Sequence, residues 1–119
     1  MKHHWRIKKF FGIYFVFFST ILLLYLTHSA QAATQINKDT ILTTDVVGGV
    51  EITVDNITFD CNGHHIIGDG TEVGVTLKSK QGVTVKNCII SDALSGIYLY
   101  NSNHNVVSNN STQDSHGSG

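Results

Sequence analysis

Two copies of one 22-residue pattern lie between Gly74 and Asn110, and this repeat constrains the fold of the chain more than any other feature. Four pairs of matching residues share the offset of 22 (96 − 74, 99 − 77, 107 − 85 and 109 − 87): Gly74 and Gly96, Leu77 and Leu99, Val85 and Val107, and Asn87 and Asn109. A third copy begins at the end of the chain, where Gly117 or Gly119 follows Gly96 by 21 or 23 residues. A fixed period in this range is typical of a protein built from stacked repeats.

Apolar and polar residues alternate within each copy, as at Val75, Leu77, Val83 and Val85. A period of two indicates β-strands, because successive side chains of a strand point to opposite faces. Gly, Asn, Ser and Asp interrupt the apolar runs before a helix could form. Since one repeat cannot bury its inward face alone, equivalent strands of successive coils are expected to stack in parallel. The sequence therefore predicts an all-β parallel solenoid of about 22 residues per coil.

Three segments carry a resemblance to a known family: residues 56–70 (NITFDCNGHHIIGDG), 74–77 (GVTL) and 83–90 (VTVKNCII). They resemble the opening of right-handed parallel β-helix proteins, a group that includes NosD-type periplasmic proteins and the carbohydrate-binding and sugar-hydrolase β-helix domains. The resemblance covers about residues 36–119. It implies a right-handed, single-stranded parallel β-helix. The group spans lyases, hydrolases, epimerases, surface adhesins and an accessory protein of a copper site, so the resemblance implies no single activity.

Residues 1–32 have the composition of a signal peptide. A basic start, ending at Lys9, precedes the apolar residues 10–26, and Ala30-Gln31-Ala32 supplies the small residues that signal peptidase requires. We predict cleavage after Ala32. The alternative is an uncleaved membrane anchor, because the 17-residue apolar segment approaches the roughly 20 residues of a membrane span. In either case the remainder is predicted to be secreted, periplasmic or on the cell surface, with membrane contact only through the signal segment.

The distribution of charge excludes one class of partner. All nine acidic residues follow residue 32, whereas only four of the eight basic residues do, so residues 33–119 carry 4 − 9 = −5 with histidine neutral. No arginine follows Arg6. The chain therefore lacks the basic surface that a nucleic-acid backbone requires, and no nucleic-acid partner is predicted.

The sequence that follows the predicted signal peptide, residues 33–119, divides near Gly48-Gly49. Residues 33–49 are predicted to form an N-terminal cap or a first coil, and residues 50–119 the β-helix repeats. Because the chain stops at the start of another repeat, we expect it to be truncated at the C-terminus, as a fragment of a longer solenoid. The alternative is a last coil that associates end to end with another copy, since an uncovered coil leaves backbone groups unpaired.

Cys61 and Cys88 are the two cysteines of the chain, and each follows an apolar strand in consecutive coils. Stacked strands lie about 4.8 Å apart, which a disulfide tolerates. An exported chain with an even number of cysteines favours a disulfide. Two stacked, buried thiols are the equally supported alternative.

Asn87 and Asn109 follow equivalent strands one period apart. Stacked asparagine side chains can hydrogen-bond along a solenoid, and we predict a structural asparagine ladder here. Other asparagines, including Asn105 and Asn110, are expected in turns, where this residue tolerates left-handed backbone.

The histidines and acids form no complete catalytic or metal-binding pattern. His64 and His65 are adjacent, so a strand would point them to opposite sides, and His104 stands alone in a polar turn. We therefore predict no resident cofactor or metal, with His64 and His104 as weak metal candidates. The resemblance implies copper for the NosD-type proteins and Ca²⁺ for lyases of this fold, which also use a basic residue as proton abstractor. Residues 33–119 contain no arginine for that role.

Tyr98 and Tyr100 alternate with Ile97 and Leu99, so the two tyrosines should share an outward face. Two aromatic rings beside polar turns suit stacking on sugars, although ordinary surface aromatics are the plainer interpretation. Together with the resemblance, these features predict a non-catalytic, NosD-like module that binds carbohydrate or another cell-envelope component. The alternative is the N-terminal part of a polysaccharide lyase, hydrolase or epimerase whose catalytic coils lie beyond Gly119.

Overall fold

A computed structural model describes residues 31–117, in which every regular element is a β-strand. The strands are β1 (Thr34–Ile36), β2 (Thr40–Ile41), β3 (Val46–Val47), β4 (Val50–Ile52), β5 (Thr58–Asp60), β6 (His65–Ile67), β7 (Val73–Lys78), β8 (Thr84–Lys86), β9 (Ile89–Ser91), β10 (Ser95–Tyr100), β11 (Val106–Ser108) and β12 (Ser111–Gln113). Within residues 31–117 there is no helix with the length and hydropathy needed to cross a membrane. The predicted signal peptide falls outside this range except for its last two residues.

The strands form three parallel four-stranded sheets, and every third strand belongs to the same sheet. The first sheet has the order β1-β4-β7-β10, the second β2-β5-β8-β11 and the third β3-β6-β9-β12. Each coil of the chain therefore contributes one strand to each sheet and lies directly on the coil before it. This arrangement confirms the predicted all-β parallel solenoid.

The length of a coil varies along the stack. Paired residues of the third and fourth coils are 22 positions apart in all three sheets (97 − 75, 107 − 85 and 112 − 90). The offsets between the second and third coils are 25, 26 and 24 (75 − 50, 85 − 59 and 90 − 66). Between the first and second coils they are 16, 19 and 20 (50 − 34, 59 − 40 and 66 − 46). The turns between strands absorb these differences, so strand pairing continues although the period changes.

Residues 33–49, which the sequence leaves open as a cap or a first coil, contain the three strands β1, β2 and β3. Each pairs in parallel with the equivalent strand of the following coil. Ile36 is 7% exposed and joins the apolar core. The segment thus continues the pattern of the coils above it.

The core is a set of columns of inward side chains. One column in the first sheet contains Ile36, Ile52, Leu77 and Leu99 at paired positions. Leu77 has a coil on each side and is completely buried, whereas Leu99 on β10 is 40% exposed. The second sheet repeats this contrast, because Val85 is completely buried and Val107 is 46% exposed. Full burial of these inward side chains therefore requires a coil on each side.

The close stacking of the coils explains why the repeat has a glycine at position 74. A Cβ atom on Gly74 would overlap the side chain of Ile90 and would lie 2.6 Å from the carbonyl oxygen of Gly96. Gly74 is buried within β7, and Gly96 is its equivalent on β10. The strand can approach its neighbours only where this side chain is missing.

Leu77→Ala and Leu99→Ala form a matched pair that tests the stacked core. The first substitution should lower the free energy of unfolding by about 2–5 kcal/mol, because it leaves a cavity between two coils. The second should cost less, because Leu99 is already 40% exposed. Urea unfolding followed by circular dichroism measures both. Equal losses would contradict the arrangement of the column.

Candidate functional site

Tyr98 and Tyr100 lie on β10 and point away from the core, as predicted from their alternation with Ile97 and Leu99. Their exposed fractions are 43% and 52%. The ring centroids are 6.4 Å apart and the ring planes differ by 11°. Because the two residues are two positions apart on one strand, the backbone fixes the spacing of the rings. The pair therefore presents two nearly parallel aromatic rings to solvent.

The neighbouring strands place polar side chains beside the rings. Tyr98 is paired with Thr76, which is paired with Glu51, which is paired with Gln35. Tyr100 is paired with Lys78. Paired residues of parallel strands project to the same side, about 4.8 Å apart. We call this surface the tyrosine face, and it consists of Gln35, Glu51, Thr76, Lys78, Tyr98 and Tyr100.

The polar members of the tyrosine face are not among the residues predicted from the sequence. Thr76 and Lys78 were recoverable from the repeat, because each precedes a tyrosine by 22 residues (98 − 76 and 100 − 78). Glu51 and Gln35 were harder to find, since the offsets in the first two steps of the sheet are 25 and 16 (76 − 51 and 51 − 35).

The chemistry of the tyrosine face suits a ligand with flat apolar faces and many hydroxyl groups. Aromatic rings bury apolar surface with defined geometry. The carboxylate of Glu51 accepts hydrogen bonds, the ammonium of Lys78 donates them, and the hydroxyl of Thr76 and the amide of Gln35 can do both. All of these groups stand on strands, so binding would need little ordering of the backbone.

Cys61 and Cys88 form a disulfide between the second and third coils, with Cα atoms 4.8 Å apart. Both residues are completely buried. In the second sheet Asp60 pairs with Lys86, so Cys88 is one residue further along its coil than Cys61. Asn87, whose φ is 58°, takes up that extra residue and lets Cys88 point inward over Cys61.

Asn87 and Asn109 occupy equivalent turn positions with left-handed backbone, at φ values of 58° and 53°. The side-chain nitrogen of Asn87 donates to Oδ1 of Asp60 at 2.9 Å. Asparagine side chains also bond to a neighbouring coil at Asn105 and Asn110. Their Oδ1 atoms accept from the backbone N–H groups of Val83 and Cys88, each at 2.9 Å. Each of these bonds spans 22 residues and joins the fourth coil to the third.

His64 and His104, the two weak metal candidates, lie in different turns of the solenoid. His64 Nδ1 is 3.3 Å from Oδ1 of Asp45 on the edge of the third sheet. His104 has a φ of 55° and fills the left-handed position that Gly82 occupies one coil earlier. Among residues 31–117 no three His, Cys, Asp or Glu side chains are placed to hold a metal ion.

Three aspartates accept hydrogen bonds that stabilise their ionised form. The side-chain amide of Asn87 and the backbone N–H of Asn62 lower the pKa of Asp60. The backbone N–H of His65, one coil above, lowers the pKa of Asp45. The hydroxyl and backbone N–H of Thr71 lower the pKa of Asp69. These carboxylates connect turns and coils, which identifies them as structural groups.

The pKa of Glu72 is shifted in the opposite direction to the pKa values of these aspartates. Partial burial raises the pKa of its carboxyl, and the nearby Asp69 carboxylate adds to the rise. Asp69 and Glu72 lie between β6 and β7, before the first residue of β7. Lys78 is the last residue of β7, at the opposite end of the strand. The pair is therefore separate from the basic end of the tyrosine face.

Acid should lower the free energy of unfolding, because it protonates the Asp60 carboxylate. Because the folded-state pKa of Asp60 is lowered, its stabilising contribution is complete above the unfolded-state pKa of about 4 and is lost as the pH falls below that value. We expect Asp60→Asn to show a smaller loss of unfolding free energy than the unmodified protein between about pH 6 and about pH 3. Urea titrations at several pH values measure this difference. Parallel pH profiles would contradict the role given to Asp60.

Reduction of the disulfide should also destabilise the fold. The two cysteines are 27 residues apart, and opening a loop of that size should lower the unfolding free energy by about 2–4 kcal/mol. A Cys61→Ala/Cys88→Ala variant, which cannot form the bond, should match the reduced protein to within about 1 kcal/mol. Thermal and urea unfolding with and without reductant provide the comparison. No effect of reductant on the unmodified protein would show that the bond is not formed.

Comparison with known proteins identifies the family of the chain. The family model for the right-handed β-helix region matches residues 24–119, which is most of the 119-residue chain. A search of curated proteins found no match. A search of solved structures found none either. The match agrees with the three parallel sheets and with the predicted handedness of the coil, and the chain belongs to the right-handed β-helix family.

Proposed function

We propose that this protein is a non-catalytic carbohydrate-binding module and that the tyrosine face is its binding surface. The observation that carries the proposal is the outward pair Tyr98 and Tyr100, with rings 6.4 Å apart and inclined by 11°. Large aromatic side chains stay half exposed at a cost, and a surface that keeps two of them side by side is typical of a binding site.

Carbohydrate is the ligand class that fits both parts of this surface. The C–H face of a sugar ring is apolar and can cover a tyrosine ring, while its hydroxyl groups are both donors and acceptors. The ladder of Thr76, Glu51 and Gln35 offers hydrogen-bonding groups in successive coils below Tyr98. A glycan stacked on the tyrosines could therefore extend across the coils and hydrogen-bond to this ladder.

The proposal assigns binding only. Within the described residues no side chain of the tyrosine face belongs to a metal-ligand group, and the acids with the clearest hydrogen-bond networks lie in turns elsewhere. The signal peptide predicted for residues 1–32 would deliver the module to the periplasm, the cell surface or the medium. A NosD-like envelope role, with glycans of the envelope as partners, is part of the proposal.

Substitution of the tyrosines tests the proposed function. Binding to a panel of soluble oligosaccharides is measured by calorimetry or by quenching of tyrosine fluorescence. Tyr98→Ala and Tyr100→Ala should each weaken binding about threefold to tenfold, since each removes one stacking surface. Val106→Ala, which removes an exposed apolar side chain from the second sheet, is the control and should leave binding unchanged.

Two results would refute the proposed function. One is the absence of binding to every glycan of the panel by the folded, unmodified protein. The other is equal weakening by the tyrosine variants and by Val106→Ala, which would show that the effect does not depend on the tyrosine face.

A further inference from the structure

We propose that the fourth coil binds the fourth coil of a second copy of this chain, so that two solenoids form a twofold symmetric dimer. The contact surface, which we call the open end, consists of the upper edges of β10, β11 and β12 and the inward side chains of Ile97, Leu99, Val107 and Thr112. The open end is a different surface from the tyrosine face, and its association does not rest on carbohydrate binding.

The open end exposes apolar side chains that belong to the core columns. Leu99 is 40% exposed and Val107 is 46% exposed, whereas their paired residues one coil below, Leu77 and Val85, are completely buried. Covering apolar side chains with another apolar surface removes them from water and is favourable. A second open end would cover them in the way that one coil covers the next.

The open end also presents unpaired backbone. Each of β10, β11 and β12 is the last strand of its sheet, and β10 is six residues long. In the third coil, the turn N–H groups of Val83 and Cys88 are accepted by Asn105 and Asn110 of the coil above. The equivalent N–H groups one coil later belong to Asn105 and Asn110 themselves, and within residues 31–117 no coil lies above to accept them. A strand edge of this kind is a template for pairing with another chain.

The fourth coil carries almost no charge. Residues 95–117 contain one acid, Asp114, and neither lysine nor arginine. The net charge between residues 33 and 94 is 4 − 8 = −4, so most of the charge of residues 33–119 lies in the lower coils. Two open ends can therefore approach each other with little repulsion. Edge lysines and prolines, which block such contacts in many proteins, are absent from this segment of the sequence.

The opposite end of the solenoid has the features that prevent edge pairing. Its strands β1, β2 and β3 have three, two and two residues, and Lys38, Asp39 and Asp45 lie beside them. Short strands and edge charges block association at a sheet edge. The inward Ile36 is only 7% exposed there. The open end therefore matches a second open end better than it matches a first coil, which favours a closed dimer over a head-to-tail filament.

One twofold axis satisfies the geometry of this contact. An axis perpendicular to the solenoid and through the middle of β10 pairs β10 antiparallel with the β10 of the second copy. The same axis places each β11 over the β12 of the second copy. Both strands have three residues, so they match in length. A coil of 22 residues (97 − 75) also supplies the roughly 20–30 residues a side that stable interfaces contain.

Lysine substitutions on β11 test the contact by sedimentation at a series of protein concentrations. The unmodified protein should show a reversible equilibrium between monomer and dimer. Val107→Lys should raise the dissociation constant of the dimer about tenfold or more, because it places an unpaired charge against an apolar surface. Val106→Lys is the matched control, since Val106 is 53% exposed on the same strand but points outward, and it should leave the dimer intact. Leu99→Lys, on β10, should act as Val107→Lys does, and circular dichroism verifies the fold of each variant.

Single cysteines on β10 test the twofold axis without disturbing the core. Antiparallel pairing keeps the inward and outward faces aligned only if the axis passes through a residue, which then faces its own copy about 4.5–5.5 Å away. One of Ile97→Cys, Tyr98→Cys and Leu99→Cys should therefore form a covalent dimer on mild oxidation. Gln35→Cys, on β1, is the control and should stay monomeric under the same conditions.

Three results would overturn the proposed dimer. One is a folded, unmodified protein that remains monomeric at every concentration. Another is equal weakening of the association by Val107→Lys and Val106→Lys, which would place the contact elsewhere. The third is a cross-link that forms only when Gln35→Cys and Tyr98→Cys are mixed, because it would show head-to-tail stacking of a first coil on a fourth. None of these results bears on carbohydrate binding by the tyrosine face.

Discussion

The structure depends on the contact between each coil and the next. A coil of this chain has no interior of its own, because its three strands are short and its inward side chains form a single layer. Leu77 becomes fully buried because Ile52 lies at the paired position on one side of it and Leu99 on the other. The 40% exposure of Leu99 shows how much of the burial a second neighbour provides. The close approach at Gly74 follows from this requirement, and the Cys61–Cys88 disulfide adds a covalent link between two stacked coils.

Backbone N–H groups in the turns between stacked strands also need hydrogen-bond acceptors, and two kinds of side chain supply them. In the lower coils an aspartate accepts a backbone N–H from the coil above, as Asp39 does from Thr58 at 2.8 Å and Asp45 from His65 at 2.9 Å. In the fourth coil Asn105 and Asn110 accept from the coil below and also donate to its carbonyl groups. The lowered pKa of Asp45 makes its contact sensitive to acid, whereas the amides carry no charge that could titrate. Backbone N–H groups in the turns are thus bound by carboxylates in the lower coils and by amides in the fourth coil.

The fold could be predicted from the sequence because the same alternation of apolar and polar residues recurs in successive coils. The alternation of Val75 and Leu77, repeated by Ile97 and Leu99, specifies which side chains face inward, and the structure agrees at these positions. The coil lengths below β7 could not be predicted, because turns of different length leave strand pairing unchanged and therefore leave no periodic signal. The alignment of Cys61 with Cys88 depends on the left-handed backbone of Asn87, which spacing alone does not reveal. The outward tyrosines were predictable from alternation, but most of their polar neighbours come from coils with other offsets and emerged only from the register of the strands.

Coupling between paired core residues tests the stacked arrangement most directly. Ile66 and Ile90 are paired in the third sheet, and each is at most 1% exposed. In a double-mutant cycle with Ile66→Val and Ile90→Val, the account predicts that the two losses of unfolding free energy are not additive and differ from their sum by about 0.5 kcal/mol or more. Losses that add to within about 0.3 kcal/mol would indicate that the two side chains do not touch, and would contradict the stacking of one coil on the next.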